Sequence, residues 1–333
     1  MRKLIWLVAA PGLLAGCSAY DRTVDYLTGS DDKAEVAGKA ASEAVAEAAQ
    51  SDDAASSLLG SATEAASTAL ADSAAAAIDN NVENSRTSIS LSGVKNGDAR
   101  YQISNVTGLD YGSTDSRQTF MQSSATNTNG HTVLNVGVGQ RYLNEDETVM
   151  TGVNAFFDYN VDYGHQRASV GAEFKTSAFE VTANSYSALT KWEKGKNNNQ
   201  ERALDGYEVE VGGQLPYMPG TMLYAKSWKW DVPASSSDIK GKTYSLAFNH
   251  MIGDGLALEL GRKDYDGLQK DEDFVTVKYR IMTDGSTSGE PGGSIFSDMM
   301  FEKSSMRKRL LEEVRRENDI IVQTKFTAGV SGV

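Results

Sequence analysis

The chain has 333 residues, 40% hydrophobic and 23% charged, with 31 Gly, 14 Tyr, a single Cys and a formal net charge of −13. One cysteine excludes an intramolecular disulfide, and the acidic balance argues against nucleic acid, whose binders carry a basic stripe. No run of 18 apolar residues follows the N-terminus, which excludes a helical membrane protein.

In chain order, the first element is an export signal over residues 1–16. "MRK" supplies the positive start, "LIWLVAAPGLL" the apolar core and "LLAGC" the end. Small residues before Cys17 resemble a bacterial lipobox, which implies cleavage there and lipidation of the Cys17 sulfur. The other reading is an ordinary secretory signal with an incidental Cys. Ser18 at the next position resembles the sorting pattern for the outer membrane. Residues 17–84 are an Ala-rich spacer. "AEVAGKAASEAVAEAAQ" and "ATEAASTALADSAAAAIDNN" are good helix formers with almost no large apolar side chains. They predict a periplasmic helix without a core, or a disordered tether.

From residue 85 to 283 the vocabulary changes to short β-rich runs between turn signals. Twelve candidates occur: "TSISLSG", "ARYQISNV", "RQTFMQSSA", "HTVLNVGVGQRY", "TVMTGVNAFFDY", "QRASVGAEFK", "AFEVTANSYS", "DGYEVEVGGQLPY", "TMLYAKSWKW", "KTYSLAFNHM", "LALELGRKDY" and "DFVTVKYRIM". The third is poorly patterned. Most approach the roughly 9–11 residues of a tilted strand crossing a bilayer. Successive strand side chains point to opposite faces. Leu134, Val136, Val138 and Tyr142 therefore share one face, and Asn135, Gly137, Gly139 and Arg141 the other. Likewise Val153, Ala155, Phe157 and Tyr159 oppose Gly152, Asn154 and Asp158, and Ala168, Val170, Ala172 and Phe174 oppose Arg167, Gly171 and Glu173. "TMLYAKSWKW" has no cleanly apolar parity.

A soluble sandwich would bury the apolar wall. A membrane barrel would turn it to lipid and enclose the ionic wall, since only closure satisfies every backbone group of a sheet in hydrocarbon. The density of charge and Gly on the polar parity favours the barrel, as does the export signal. So do aromatic residues near strand ends (Tyr142, Tyr159, Tyr217, Trp228, Trp230, Tyr265), as in an interfacial girdle.

"NVGVGQR" (135–141), "GVNAFFDYN" (152–160), "GHQRASVGAEF" (164–174), "ANSYSALTKW" (183–192), "ERALDGYEVEVGGQLPYMP" (201–219) and "VRREN" (314–318) together resemble the inverse autotransporters of the intimin and invasin type. The resemblance implies an all-β, twelve-stranded antiparallel barrel in the bacterial outer membrane, with both barrel termini periplasmic. It further implies a helix that threads the pore and leads to a surface passenger. "SSMRKRLLEEVRREND" (304–319) fits that helix, with Met306, Leu310 and Val314 stepping by four. The parts are then a flexible turn at 284–296, a plug helix and exit strand at 297–322, and a tail at 323–333. The implied partners are outer-membrane lipid, barrel-assembly and periplasmic chaperone machinery, and a host or cell-surface ligand. Adhesion transfers poorly, because only "IIVQTKFTAGVSGV" follows Asp319 in place of the family's adhesive domains.

Little argues for chemistry. "GVGQRY" lacks the third Gly and the βαβ context of a dinucleotide fingerprint. His131, His165 and His250 have no metal-ligand spacing, and no cofactor is expected. Asp158, Glu173, Glu208 and Glu210 read as lumenal ion-pair members rather than acid/base pairs. "KWEKGKNNNQER" reads as an exposed loop. The expected lumen-and-plug set is structural: Asn135, Gly137, Gly139, Gly152, Gly171, Arg141, Asn154, Asp158, Arg167 and Glu173 on the wall, and Arg315, Arg316 and Glu317 on the plug. The function expected is a non-enzymatic translocator displaying or exporting a C-terminal segment. The alternatives are a protein that binds through its own loops, or a plugged pore.

Overall fold

A computed structural model describes residues 84–94, 100–128, 130–233, 238–249, 255–267, 269–282 and 296–325. The signal, Cys17, the Ala-rich spacer, most of the 284–296 turn, His250 and residues 326–333 lie outside them.

All twelve sequence candidates are strands. They are β1 (Ser85–Val94), β2 (Arg100–Thr114), β3 (Arg117–Thr128), β4 (His131–Leu143), β5 (Val149–Asn160), β6 (Gln166–Thr176) and β7 (Phe179–Ala188). After the short loop strands β8 (Glu193–Lys194) and β9 (Gln200–Ala203) come β10 (Gly206–Leu215), β11 (Met218–Trp230), β12 (Ile239–Asn249), β13 (Leu256–Tyr265) and β14 (Glu272–Met282). Each barrel strand pairs antiparallel with its sequence neighbours, β7 with β10 across the loop strands. The seam closes where β14 meets β1, Tyr279 opposite Ile89 and Lys278 opposite Ser90.

The alternation has the sense expected of a membrane barrel. Along β5 and β10, accessible and buried residues alternate almost without a break. Most of the accessible ones are apolar, among them Val153, Phe157, Tyr207, Val209 and Val211. The buried ones include Asn154, Asp158, Glu208, Glu210 and Gln214, with Met150 and Phe156 as apolar members of the same face. Val170, outward on β6, is 61% exposed, whereas its neighbours along the chain Arg167 and Glu173 are buried.

Two expectations need correction. Trp228 and Trp230 do not join an interfacial girdle. They face the lumen at 4% and 3% exposure and pack with Tyr186 and Leu204. They share an inward parity with Met222 and Tyr224, which is why the inner face of β11 does not read as polar in its sequence. Tyr265 also turns inward, its ring edge-on to Trp228, whereas Tyr142 and Tyr217 lie outside, 41% and 51% exposed.

The second correction concerns residues 304–319, which thread the barrel but form no α-helix. One 3-10 turn, Met306–Arg309, is capped by the Ser305 hydroxyl, and the remainder is irregular up to β15 (Val322–Lys325). Arg141, Arg167, Asn184 and Asn135 take the segment's carbonyls and Gln122 its Val314 amide, groups an α-helix would pair internally. The lost helical hydrogen bonds are replaced from the wall. The 3.6-residue stripe accordingly divides between two clusters. Met306 and Leu310 pack on Leu143 and Met150, whereas Val314 joins Leu311, Val106, Phe120 and Phe156.

Placing a charge on the outer wall tests the orientation. Val138→Arg, near the middle of β4 and 53% exposed, is expected to destabilise the barrel in lipid by about 2–4 kcal/mol. The measurement is the urea midpoint of unfolding from vesicles. An unchanged midpoint would place that wall in water.

Candidate functional site: the threaded lumen

The threaded segment enters at the mouth where β1 begins and β14 ends. There Glu147, in the β4–β5 turn, accepts from Ser305 Oγ (2.6 Å) and Arg307 Nε (2.8 Å), and its carbonyl accepts from the Met306 amide (2.7 Å). The Arg307 hydrogen bond, then that of Ser305, holds the Glu147 carboxyl below its ordinary value.

Deeper, Arg141 on β4 chelates Glu173 on β6 through Nε (2.8 Å) and Nη2 (3.1 Å). Its Nη1 donates to the Leu310 and Glu312 carbonyls, both at 2.7 Å. Lys175 lies between Glu173 (3.2 Å) and Glu312 (3.3 Å), and Arg309 donates to Glu180 on β7 (2.6 Å). Glu313 takes Lys278 from β14 (2.9 Å). Arg315 turns towards β10 and β13, reaching Glu210 (2.6 Å) and Glu259 (3.1 Å), and its guanidinium covers the Tyr224 ring.

The tightest group centres on Asp158. Arg316 grips both of its oxygens (2.9 and 2.7 Å), Arg167 Nε adds a third bond (2.8 Å), and Asn135 Nδ2 a fourth (2.8 Å). The Asp158, Arg167 and Arg316 side chains are fully buried. Arg316 also stacks on Phe156, and Arg167 on Tyr186. Burying three charges is favourable only with such geometry and saturated lone pairs.

The wall also reads the backbone of the segment. Arg167 donates to the Glu317 carbonyl (2.7 Å), Asn184 to Arg315 (2.9 Å), Asn135 to Asn318 (2.9 Å) and Arg86 to Lys308 (3.2 Å). Gln122 accepts from the Val314 amide (2.9 Å) and the Tyr186 hydroxyl from Glu317 (2.8 Å). At the far mouth, Arg100 pairs with Glu317 (3.3 Å) and Asp319 (3.4 Å), and His131 with Asp319 (3.3 Å). Ile320 packs on Val133 and Ala203, and β15 then pairs with β9, Val322 opposite Ala203. The segment has therefore crossed from one mouth to the other.

A family model described as "Inverse autotransporter, beta-domain" matches residues 34–318. The chain belongs to that family. Among curated proteins, this inverse autotransporter β-domain is 28% identical over 134 residues to an attaching and effacing protein homologue of Escherichia coli K12, covering 39% of this chain and 45% of that one. It is 30% identical over 125 residues to the inverse autotransporter adhesin YeeJ of the same strain, covering 36% of this chain and 5% of YeeJ. The chain thus spans less than half of these relatives. A membrane protein solved in work on in-meso crystallization superposes with a TM-score of 0.62 at 17% identity, over 72% of this chain and 99% of that one. Fold and family together make this a bacterial outer-membrane barrel.

Among the residues expected at the lumen of this inverse autotransporter, Asn135, Arg141 and Arg167 touch the threaded segment directly, as does Asp158. Glu173 does not; it holds Arg141 and Lys175, which do. Asn154 is inward and buried, opposite Gly171 on the neighbouring strand. The glycines make room for the wall's own side chains. A Cβ on Gly137 would collide with the Phe156 ring, one on Gly139 with Phe120, one on Gly152 with Glu173, and one on Gly171 with Asn184 and Asn154. Lys175, Glu180, Gln122, Asn184 and Tyr186 lie outside the expected set. Lumen parity is their only signal in the sequence, and it gives no pairing.

Two outcomes test the site. Asp158→Ala strands Arg167 and Arg316 in the interior and is expected to cost about 3–5 kcal/mol, read as a lower urea midpoint and as trypsin cleavage after Arg316. Arg316→Met should cost less, because Asp158 keeps its bonds from Arg167 and Asn135 and the remaining buried charges balance one to one. The Glu147 contact is complete above the ordinary carboxylate pKa of 4.5 and fades as pH falls through the depressed value. The protection factor of the Met306 amide should therefore fall in acid, and Glu147→Gln should abolish that pH dependence.

Proposed function

We propose that the barrel is a translocator holding its C-terminal segment across the outer membrane, so that whatever follows Lys325 is displayed at the cell surface. The observation supporting this is the passage of residues 304–321 through a closed lumen, from the mouth holding the barrel's two chain ends to the mouth where β15 pairs with β9. In this reading the first mouth is periplasmic. The Ala-rich spacer lies there too, tethered through a lipidated Cys17, and periplasmic chaperones and barrel-assembly machinery deliver the chain. No catalysis, cofactor or nucleic acid is required. Export is driven by folding and lipid burial, with the threaded segment left behind as a stopper. A role in adhesion, through a host or cell-surface ligand, belongs to the displayed part.

Binding through the barrel's own loops is the second reading. It draws on Leu189 and Trp192, 53% and 38% exposed beside the β8–β9 hairpin.

A tag after Val333 tests display. Protease added to intact cells should remove it without lysis, whereas full protection would refute display. In planar bilayers the intact protein should conduct little and a chain ending at Met300 should conduct freely. Free conductance by the intact protein would refute the stopper. Labelled palmitate that persists in Cys17→Ser would refute the anchor.

A further inference from the structure

Between β14 and the lumen the chain passes below the β10–β11 turn, several strands away from where β14 ends. Residues 296–301, "FSDMMF", expose Phe296 (66%), Met299 (53%), Met300 (52%) and Phe301 (43%). Four large apolar side chains within six residues exceed the scattered exposure normal for a surface.

Their position is fixed. The Ser297 amide donates to the Tyr217 carbonyl (2.9 Å), and the Tyr217 amide donates to the Met300 carbonyl (3.0 Å). Tyr217 itself is in the left-handed region at φ 63°, an unfavourable conformation for a bulky residue that these two bonds hold. The Tyr217 side chain, in the β10–β11 turn, is half exposed. Phe179 lies at the same end of the neighbouring strand β7 and is 46% exposed. The segment is therefore bonded through the Tyr217 backbone to a turn at the rim of the lipid-facing wall, at the end of the barrel where Phe179 is exposed.

We propose that residues 296–301 are an interfacial membrane anchor, with Met299, Met300 and Phe301 inserted at the headgroup–acyl boundary of the leaflet beside this mouth. Lipid is the occupant we assign because the patch is tied to the rim of a wall already immersed in it. Aromatic and methionine side chains suit that boundary, while Asp298, Glu302 and Lys303 keep the intervening backbone in the wet headgroup layer. The anchor fixes where the chain turns inward, three residues before Ser304. It places a third attachment on the entry side of the lumen, beside the Glu147 clasp and β14 itself.

The test uses full-length protein carrying Cys17→Ser and either Phe301→Cys or Met299→Cys. Each is spin-labelled and reconstituted in phosphatidylethanolamine–phosphatidylglycerol vesicles. Folding is checked by the difference in gel mobility between boiled and unboiled samples. Collision with oxygen is compared with collision with a water-soluble nickel chelate. Val170→Cys serves as the lipid-facing reference, and Glu145→Cys in the β4–β5 turn as the aqueous one. Both sites should fall on the oxygen-rich side with Val170, at shallower depth. Chelate-rich values like those of Glu145 would overturn the proposal and point to a protein partner supplied in the cell. Low collision with both agents would also overturn it, because the patch would then be covered by the chain itself.

Discussion

The Asp158 carboxylate sits between two guanidiniums, one from the wall and one from the threaded segment, and none of the three side chains touches solvent. The rest of the lumen follows from that arrangement. Arg316 cannot lie in the interior without a carboxylate, and without Arg316 the Asp158 carboxylate loses two of its four hydrogen bonds, so wall and segment are each incomplete alone. The pairing fixes register at one residue of the segment, and neighbouring contacts then follow along the bore. Arg315 reaches Glu210 and Glu259 on one side, while Arg100 holds Glu317 on the other. A one-residue slip in one direction would set Glu317 against Asp158, and in the other would keep an arginine there but leave Glu210 and Glu259 facing Val314.

Around this centre, polar and apolar groups exchange their usual places. The outer face of β4, β5, β6 and β10 carries valines and aromatic rings, and the buried face carries Arg, Lys, Glu, Asp and Asn. Apolar packing still occurs inside, but as islands. Phe120 and Phe156 meet Leu311 and Val314, and Met150 meets Met306 and Leu310. These islands lie between ionic groups and offer guanidiniums a flat surface, as with Arg316 over Phe156. The interior is thus held by directional contacts, with rings limiting the space open to water.

The barrel is legible in the sequence because most of its strands keep a two-residue period, while β3 and β11 are legible only as β-rich runs between turn signals. Legibility fails where one face carries two kinds of residue. β3 puts Phe120 on the polar parity, and β11 puts Tyr224, Trp228 and Trp230 there, so neither strand shows a clean pattern. The threaded segment misleads for a different reason. Its charge-rich composition and four-residue spacing are those of a solvated helix, and nothing local reveals that wall side chains will compete for its carbonyls. Membership in the lumen can be read from parity. The partner of each residue cannot, because pairing depends on strand stagger, and stagger is not written in alternation.

The hydrogen bonds between wall and backbone have a consequence for how such chains diverge. Arg141, Asn184, Asn135 and Arg167 recognise peptide carbonyls of the segment, and a carbonyl is the same whatever residue bears it. Much of the grip is therefore indifferent to spelling. Mutational drift at Leu310, Glu312 or Asn318 leaves the main-chain acceptors in place, while drift at Arg316 does not spare the carboxylate waiting for it. The main-chain part of the grip can thus outlast a change of residue, whereas Arg309, Glu312, Glu313, Arg315 and Arg316 each stay tied to a charged partner on the wall.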